Sequence, residues 1–256
     1  MKLLFKPICL LISLVLFYST NAQAAEANWQ KMTRDEVVEV LSQSSPENGA
    51  NLELKDFRGL DLSGVDFSGA NLFYTHMKSA DLSNGIFDNA NLDLALMMSA
   101  NLENASFKNA ALNNTNLENS NLKNANFSGA RVVAKMSRAD LIGANLSNMK
   151  AGISMHNQSM GMIRTELESA SLRDVTMKDA DLAFCNMKFA KLQNSDLRGV
   201  NFSNCDLSGA DFTGANLTDA NLTEAKLTNT RFYGITGKET IKGLDKAVDK
   251  HLAKFD

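Results

Sequence analysis

The chain has 256 residues, 44% of them hydrophobic and 21% charged, with a formal net charge of −3. That is enough apolar material for a core of one or two domains, and only 2 Pro and 15 Gly argue against a low-complexity polymer. Positive and negative residues are interspersed, without the basic face or stripe that a nucleic-acid binder carries.

In chain order, the first element is a leader. Lys2 and Lys6 precede the apolar run "ICLLISLVLFY", and small residues follow at Ala22 and Ala24. This order predicts a Sec-type signal peptide over residues 1–24, cleaved after Ala24, with an apolar run too short for an ordinary membrane span. Cys9 stands at the start of the apolar run and not at the cleavage site, which does not suggest lipidation. Loss of Lys2 and Lys6 leaves 24 basic against 29 acidic residues, a mature net charge of −5. The expected location is the periplasm or another exported space.

Residues 25–49 are expected to form an N-terminal capping helix. Thr33 and Glu36 have capping-box spacing, Val37, Val40 and Leu41 share a helical face, and Trp29 lies near enough to join it.

From residue 50 to 235 a five-residue period dominates. Leu, Phe or Met recurs at Leu52, Phe57, Leu62, Phe67, Leu72, Met77 and onward to Phe127, then again from Leu167 to Phe232. A small residue stands two positions before most centres, as at Ala70, Ala80, Ala90 and Ala100. In extended backbone, residues two apart point the same way, so both face inward while the intervening Asp or Asn faces out. The odd step is taken up by a corner at the next two positions, which are rich in Ser, Thr, Gly, Asn and Asp. Each pentapeptide is then one side of a coil. Phe67, Phe87, Phe107 and Phe127 recur every twenty residues, so four sides per coil stack these rings into one ladder. About nine coils at ~4.8 Å each predict a column roughly 45 Å long.

The register slips over about 133–162. Met136, Leu141 and Leu146 sit one residue early, and the main phase returns by Met162. An insertion with a compensating deletion, leaving the column as a bulge or loop, is the expectation. The same stretch holds Met149, Met155, His156, Met160 and Met162, a thioether and imidazole set suited to Cu(I), weighed against the use of Met as a core filler. Cys185 and Cys205 occupy the small inward position on directly stacked coils. Their spacing allows a disulfide in an oxidising compartment, while buried free thiols are the simpler reading. Residues 236–256 predict a C-terminal helix with Ile241, Leu244, Val248, Leu252 and Phe255 on one stripe, serving as a plug on the last coil or as a dimer contact.

The units "SGADF", "TGANL", "TDANL" and "DNANL" resemble the A(D/N)LXX units of the pentapeptide repeat family. The resemblance implies an all-β fold, a right-handed quadrilateral parallel β-helix, with short capping helices expected at both ends. It also implies two further possibilities: homodimers that pair through C-terminal ends, and mimicry of duplex DNA in binding DNA gyrase. The leader and the 17 Lys and Arg among 20 acidic residues of the repeat segment oppose the gyrase reading. Neither HExxH nor GxSxG occurs, and "GITGKET" lacks the first Gly and the Ser or Thr of a phosphate loop. No enzyme activity and no cofactor are expected. The leading expectation is an exported scaffold that binds a protein partner or serves a structural role, with gyrase modulation and copper binding as alternatives.

Overall fold

The computed structural model describes residues 29–44, 49–152 and 164–256. The predicted leader lies outside them.

The coil closes every twenty residues. Isolated parallel bridges join Asn51 to Asn71, Asp56 to His76, Asp61 to Asp81 and Asp66 to Ile86, one on each of four sides. The sides are named here by their first centres: the Leu52, Phe57, Leu62 and Phe67 faces. On the Leu52 face the rungs run from Asn51 to Lys242 without interruption. Each centre donates its N–H forward, as Leu62 does to the Asp81 carbonyl at 2.7 Å, and the residue before it donates backward, as Asp81 does to the Leu60 carbonyl at 2.8 Å. Backbone groups are thus satisfied between coils, which an extended chain with no long strands must otherwise leave to water.

The centres and the small residues before them are buried, and nearly every Leu, Phe and Met centre is fully enclosed. Phe67, Phe87, Phe107 and Phe127 form the expected ladder, with centroids 5.0, 4.9 and 4.6 Å apart and planes within 9° of parallel. Corners are β-turns in which the centre's carbonyl accepts from the N–H three residues on, as Phe57 does from Leu60 at 3.1 Å. The third turn residue is left-handed at nearly every corner, which explains the Gly, Asn, Ser and Asp found there. The outward Asp or Asn also holds its own corner. Its side-chain oxygen accepts the N–H two residues on, as Asp61 does from Ser63 at 3.0 Å and Asn216 from Thr218 at 3.1 Å.

At the N-terminus, β1 (Gln30–Lys31) pairs in parallel with β2 (Lys55–Asp56), and α1 (Arg34–Ser42) covers the open end of the first coil. The Thr33–Glu36 capping box is formed, and Val37 is fully buried. Trp29 does not join the helix; it reaches over the outside of the column.

The C-terminal segment departs from the expectation of one helix. Residues 236–256 form another coil with six-residue sides, in which single 3-10 turns at Lys238–Thr240, Leu244–Lys246 and Lys250–Leu252 alternate with bridges at Thr236, Lys242 and Val248, followed by β6 (Lys254–Phe255) on β5 (Arg231–Phe232). The true period is six: Ile235, Ile241, Ala247 and Ala253 turn inward. The stripe is therefore divided. Ile241, Leu244 and Phe255 pack partly on the core, while Val248 and Leu252 are exposed. Phe255 extends an aromatic ladder, stacking on Phe232 at 5.0 Å beneath Lys238 Nζ. A Cβ on Gly237 would strike Thr218 and one on Gly243 would strike Thr223, and both glycines are left-handed, so the wide coil needs them.

The register slip resolves into two events. Lys135 follows Asn116 by 19 residues, because β4 (Arg131–Lys135) crosses its corner one residue short against β3 (Ala111–Asn116). Glu166 then follows Lys135 by 31 residues, an insertion of eleven over a normal coil. Together they restore the five-residue phase.

Replacement of Phe107 by Ala, in the middle of its ladder, is expected to lower the unfolding free energy by about 3–5 kcal/mol in urea titrations.

Candidate functional site

In the regular part of the column the outward polar groups already serve one another. Asn71 Nδ2 donates to Asn51 Oδ1 at 3.2 Å and Asn91 Nδ2 to Asn71 Oδ1 at 3.2 Å; Asn101 to Asp81 and Asn121 to Asn101 each measure 3.0 Å. Basic residues are likewise interleaved with acids, as in Lys123–Asp140, Lys188–Asp206, Arg198–Asp196 and Arg231–Asp211. Such pairs on exposed surface contribute little stability and leave no one-signed face.

The departures from the repeat gather on one edge, the corner between the Leu52 and Phe57 faces. Five corner positions carry an apolar or large aromatic residue in the left-handed conformation: Leu54, Tyr74, Leu94, Phe184 and Phe189. The first four lie on this edge; Phe189 is on the next corner of the same coil. The missing residue, at Val133–Ala134, is on this edge, and so is the insertion between Gly152 and Arg164. Its roots are tied together: Thr165, fully buried, donates through Oγ1 to the carbonyls of Val132 at 2.7 Å and Ala151 at 3.2 Å. Next to them, Glu166 accepts from Arg164 Nε at 2.8 Å and from Asn186 Nδ2 at 2.5 Å.

At the N-terminal end of the same edge, Trp29 donates from Nε1 to the Tyr74 carbonyl at 2.8 Å, with its ring 5.4 Å from Tyr74 and 4.7 Å from the His76 imidazole. Beside them Asp56 is nearly buried and accepts from Arg58 several times over, from its Nε to Oδ1 at 2.9 Å, its Nη2 to Oδ2 at 2.6 Å and its backbone N to Oδ1 at 3.0 Å among them. Those hydrogen bonds hold the Asp56 carboxyl below its ordinary range.

The metal candidates divide. Met155, His156, Met160 and Met162 fall outside the described residues. Met149 is fully buried at the small inward position, with Ala151 at the centre beyond it, so large and small exchange places and the thioether fills the core. Met149 therefore drops out of the candidate copper site. Among the described residues no group of three or more His, Cys, Asp or Glu could hold a metal. Cys185 and Cys205 are buried free thiols; Cys205 Sγ donates to the Leu182 carbonyl at 2.7 Å, and burial pushes its thiol well above the ordinary range.

The pentapeptide repeats family model matches this column in 8 copies, over residues 48–72, 75–110, 100–133, 162–199 and 195–234. The chain belongs to the pentapeptide repeat family. Its column is accordingly the family's right-handed quadrilateral β-helix. Among solved structures it is similar to HetL, a pentapeptide repeat protein involved in heterocyst differentiation regulation from the cyanobacterium Nostoc sp. strain PCC 7120. The identity is 25% over 87% of this chain and 94% of that one, with a TM-score of 0.60. Rfr23 from the cyanobacterium Cyanothece 51142 is 24% identical over 46% of this chain and 87% of that one, with a TM-score of 0.36. QnrB1, a plasmid-mediated fluoroquinolone resistance protein, is 18% identical over 78% and 91%, with a TM-score of 0.43. No curated protein matches the chain.

Sequence reasoning missed the irregular edge, although it has a signal: with four sides per coil, every fourth corner can be read as one column of residues, and Leu54, Tyr74 and Leu94 then stand out from Gly, Ser and Asn. Left-handed Leu is strained and Leu54 is exposed, so Leu54→Asn should raise the unfolding free energy by about 0.5–1 kcal/mol. Urea titration of the variant against the parent checks this. Neither Cys185 nor Cys205 should react with a disulfide reagent in the native state, and both should react once urea unfolds the chain.

Proposed function

We propose that the protein is an exported, non-enzymatic scaffold that binds a protein partner along the edge between its Leu52 and Phe57 faces. The observation that carries this reading is the concentration of apolar left-handed corners, shortened corner and insertion on that one edge. Strained or irregular backbone that adds nothing to the core is retained where it serves recognition. The remaining edges mostly repeat a self-satisfied polar pattern, with Phe189 and Tyr233 as isolated exposed aromatic residues on them. Export is supported by the basic, apolar and small-residue order of the first 24 residues. The C-terminal coil offers only Val248 and Leu252 as exposed large apolar side chains, so a homodimer through that end would have to pair through these two.

A role on gyrase finds no favouring observation here, because a duplex-like surface needs a large excess of acids and the column sets only 20 against 17 Lys and Arg, interleaved with them. The mature protein at micromolar concentration should leave gyrase supercoiling unchanged.

Two experiments test the proposal. N-terminal sequencing of the protein from its host should give a chain beginning near Ala25 in the exported fraction; a full-length cytoplasmic chain would refute export. A photoreactive phenylalanine at Leu94 or Phe184 should give discrete adducts in intact cells, whereas the same group at Asn84 or Asn194, on the opposite edge, should give none. Equal labelling from both edges would refute the assignment of the binding edge.

A further inference from the structure

His76 occupies an outward position that Asp, Asn or Ser fills on many other rungs, yet it is nine-tenths buried, and neither Nδ1 nor Nε2 has a hydrogen-bond partner. Trp29 covers it. The cover is held by the Trp29 Nε1 bond to the Tyr74 carbonyl and by the short β1–β2 pairing, where Gln30 N donates to the Leu54 carbonyl at 3.2 Å and Lys55 Nζ to Gln30 Oε1 at 2.5 Å. Two residues of ladder and one indole bond are a slight attachment for a segment at the end of a column. Segments so held open at far lower free energy than the core.

We propose that the Trp29–Lys31 segment is an acid-released clasp, in which proton uptake by His76 lifts Trp29 off the column and uncovers the Tyr74 and His76 part of the binding edge. The groups around the imidazole decide the direction. On the preceding rung stand Asp56, already committed to Arg58, and Arg58 itself. Lys78 lies on the same side of the coil as His76, and β1 brings Lys31 alongside Asp56. Tyr74 at the corner, Leu96 on the next rung and Trp29 above carry no charge. Burial is the largest influence on the imidazole, Arg58 the next, and both hold its proton affinity below the ordinary value near 6.5, with Asp56 opposing them.

The sign follows. The closed form keeps His76 neutral at pH values where an exposed histidine is already protonated, so the open form binds more protons. Closure is therefore fully favoured above about pH 6.5 and is lost as pH falls below it, toward the lower value of the closed state. In the closed form neither ring nitrogen has a hydrogen-bond acceptor, and a buried imidazolium left with the indole face as its nearest partner is disfavoured against one hydrated in water.

Trp29 is the sole tryptophan of the chain, so its emission reports the clasp alone. Between pH 7.5 and pH 5 the emission maximum of the full chain should move to longer wavelength, and quenching by acrylamide should rise roughly twofold, with the far-ultraviolet circular dichroism unchanged. His76→Leu, which copies Leu96 on the next rung, should keep the blue-shifted emission at both pH values. Should that variant fail to fold, His76→Asn, copying Asn116 two rungs on, makes the same test. Loss of intensity at constant wavelength and constant acrylamide quenching would mean that Trp29 stays seated over a protonated ring, and would overturn the proposal. So would an acid shift of equal size in a folded variant.

Discussion

Closure of the backbone every twenty residues is the constraint on which the rest of the molecule depends. Each coil gives its amide protons in both directions along the column, as in the 2.7 Å bond from Leu62 N to the Asp81 carbonyl and the 2.8 Å bond from Asp81 N to the Leu60 carbonyl. No coil can change its circumference without moving the donors of two neighbours. The inward pairs, the aromatic ladder and the left-handed corners are consequences: a square cross-section leaves room for one large and one small side chain per side, and a five-residue side needs one residue at positive φ to turn. Where the circumference does change, at Lys135, Glu166 and the final coil, the change is confined to a corner or an end, because there the neighbouring rungs can still be reached.

The same constraint limits where information can reside on the surface. At Asn71, Asp81, Asn101, Asp181 and Asn201 the outward side-chain oxygen is spoken for twice, once by the corner N–H of its own side and once by the carboxamide of the next rung. This makes the polar ladder a structural element, although it is exposed. Departures are therefore more informative than the repeat, and a departure that costs strain is more informative still. Leu54, Tyr74 and Leu94 hold conformations that Asn or Gly would adopt more readily, on an edge where the chain also loses one residue and gains eleven.

The repeat was legible in the sequence because its period is short, its phase is constant, and two inward residues per side are chosen by size. The ladder of Phe67, Phe87, Phe107 and Phe127 followed from spacing alone, and the Thr33–Glu36 capping box from local chemistry. The C-terminal segment misled for a physical reason. Ile241, Leu244, Val248, Leu252 and Phe255 have the three- and four-residue spacing of a helix, but Ile235, Ile241, Ala247 and Ala253 have a six-residue spacing that the backbone obeys. Gly237 and Gly243, six apart, were the deciding residues. Met149 stays open between ligand and core filler in the sequence for a related reason: the sequence shows a methionine near other methionines, whereas the exchange of large and small with Ala151 is visible only once the side of the coil is known. The gathering of irregularities on one edge needed the closure rule applied to corners as well as to centres.

The final coil also bears on why the column ends. A stack of parallel rungs exposes a fresh set of donors and acceptors at its last member, and such an edge recruits further strands unless something interrupts it. Here the interruption is conformational. Gly237, Gly243 and Asp249 are left-handed at the positions where inner coils place an extended Leu or Phe, so three of the four sides of the last coil cannot continue the ladder in its own geometry. Only the Phe255 side keeps the extended form, and there Lys238 lies over the ring. At the opposite end the protection is by coverage, with α1 over the core and β1 along one side. The two ends thus use different physics: the C-terminal end is closed by residues whose backbone must stay left-handed for the coil to exist at all, and the N-terminal end by a short segment whose attachment can be undone while every rung beneath it stays intact.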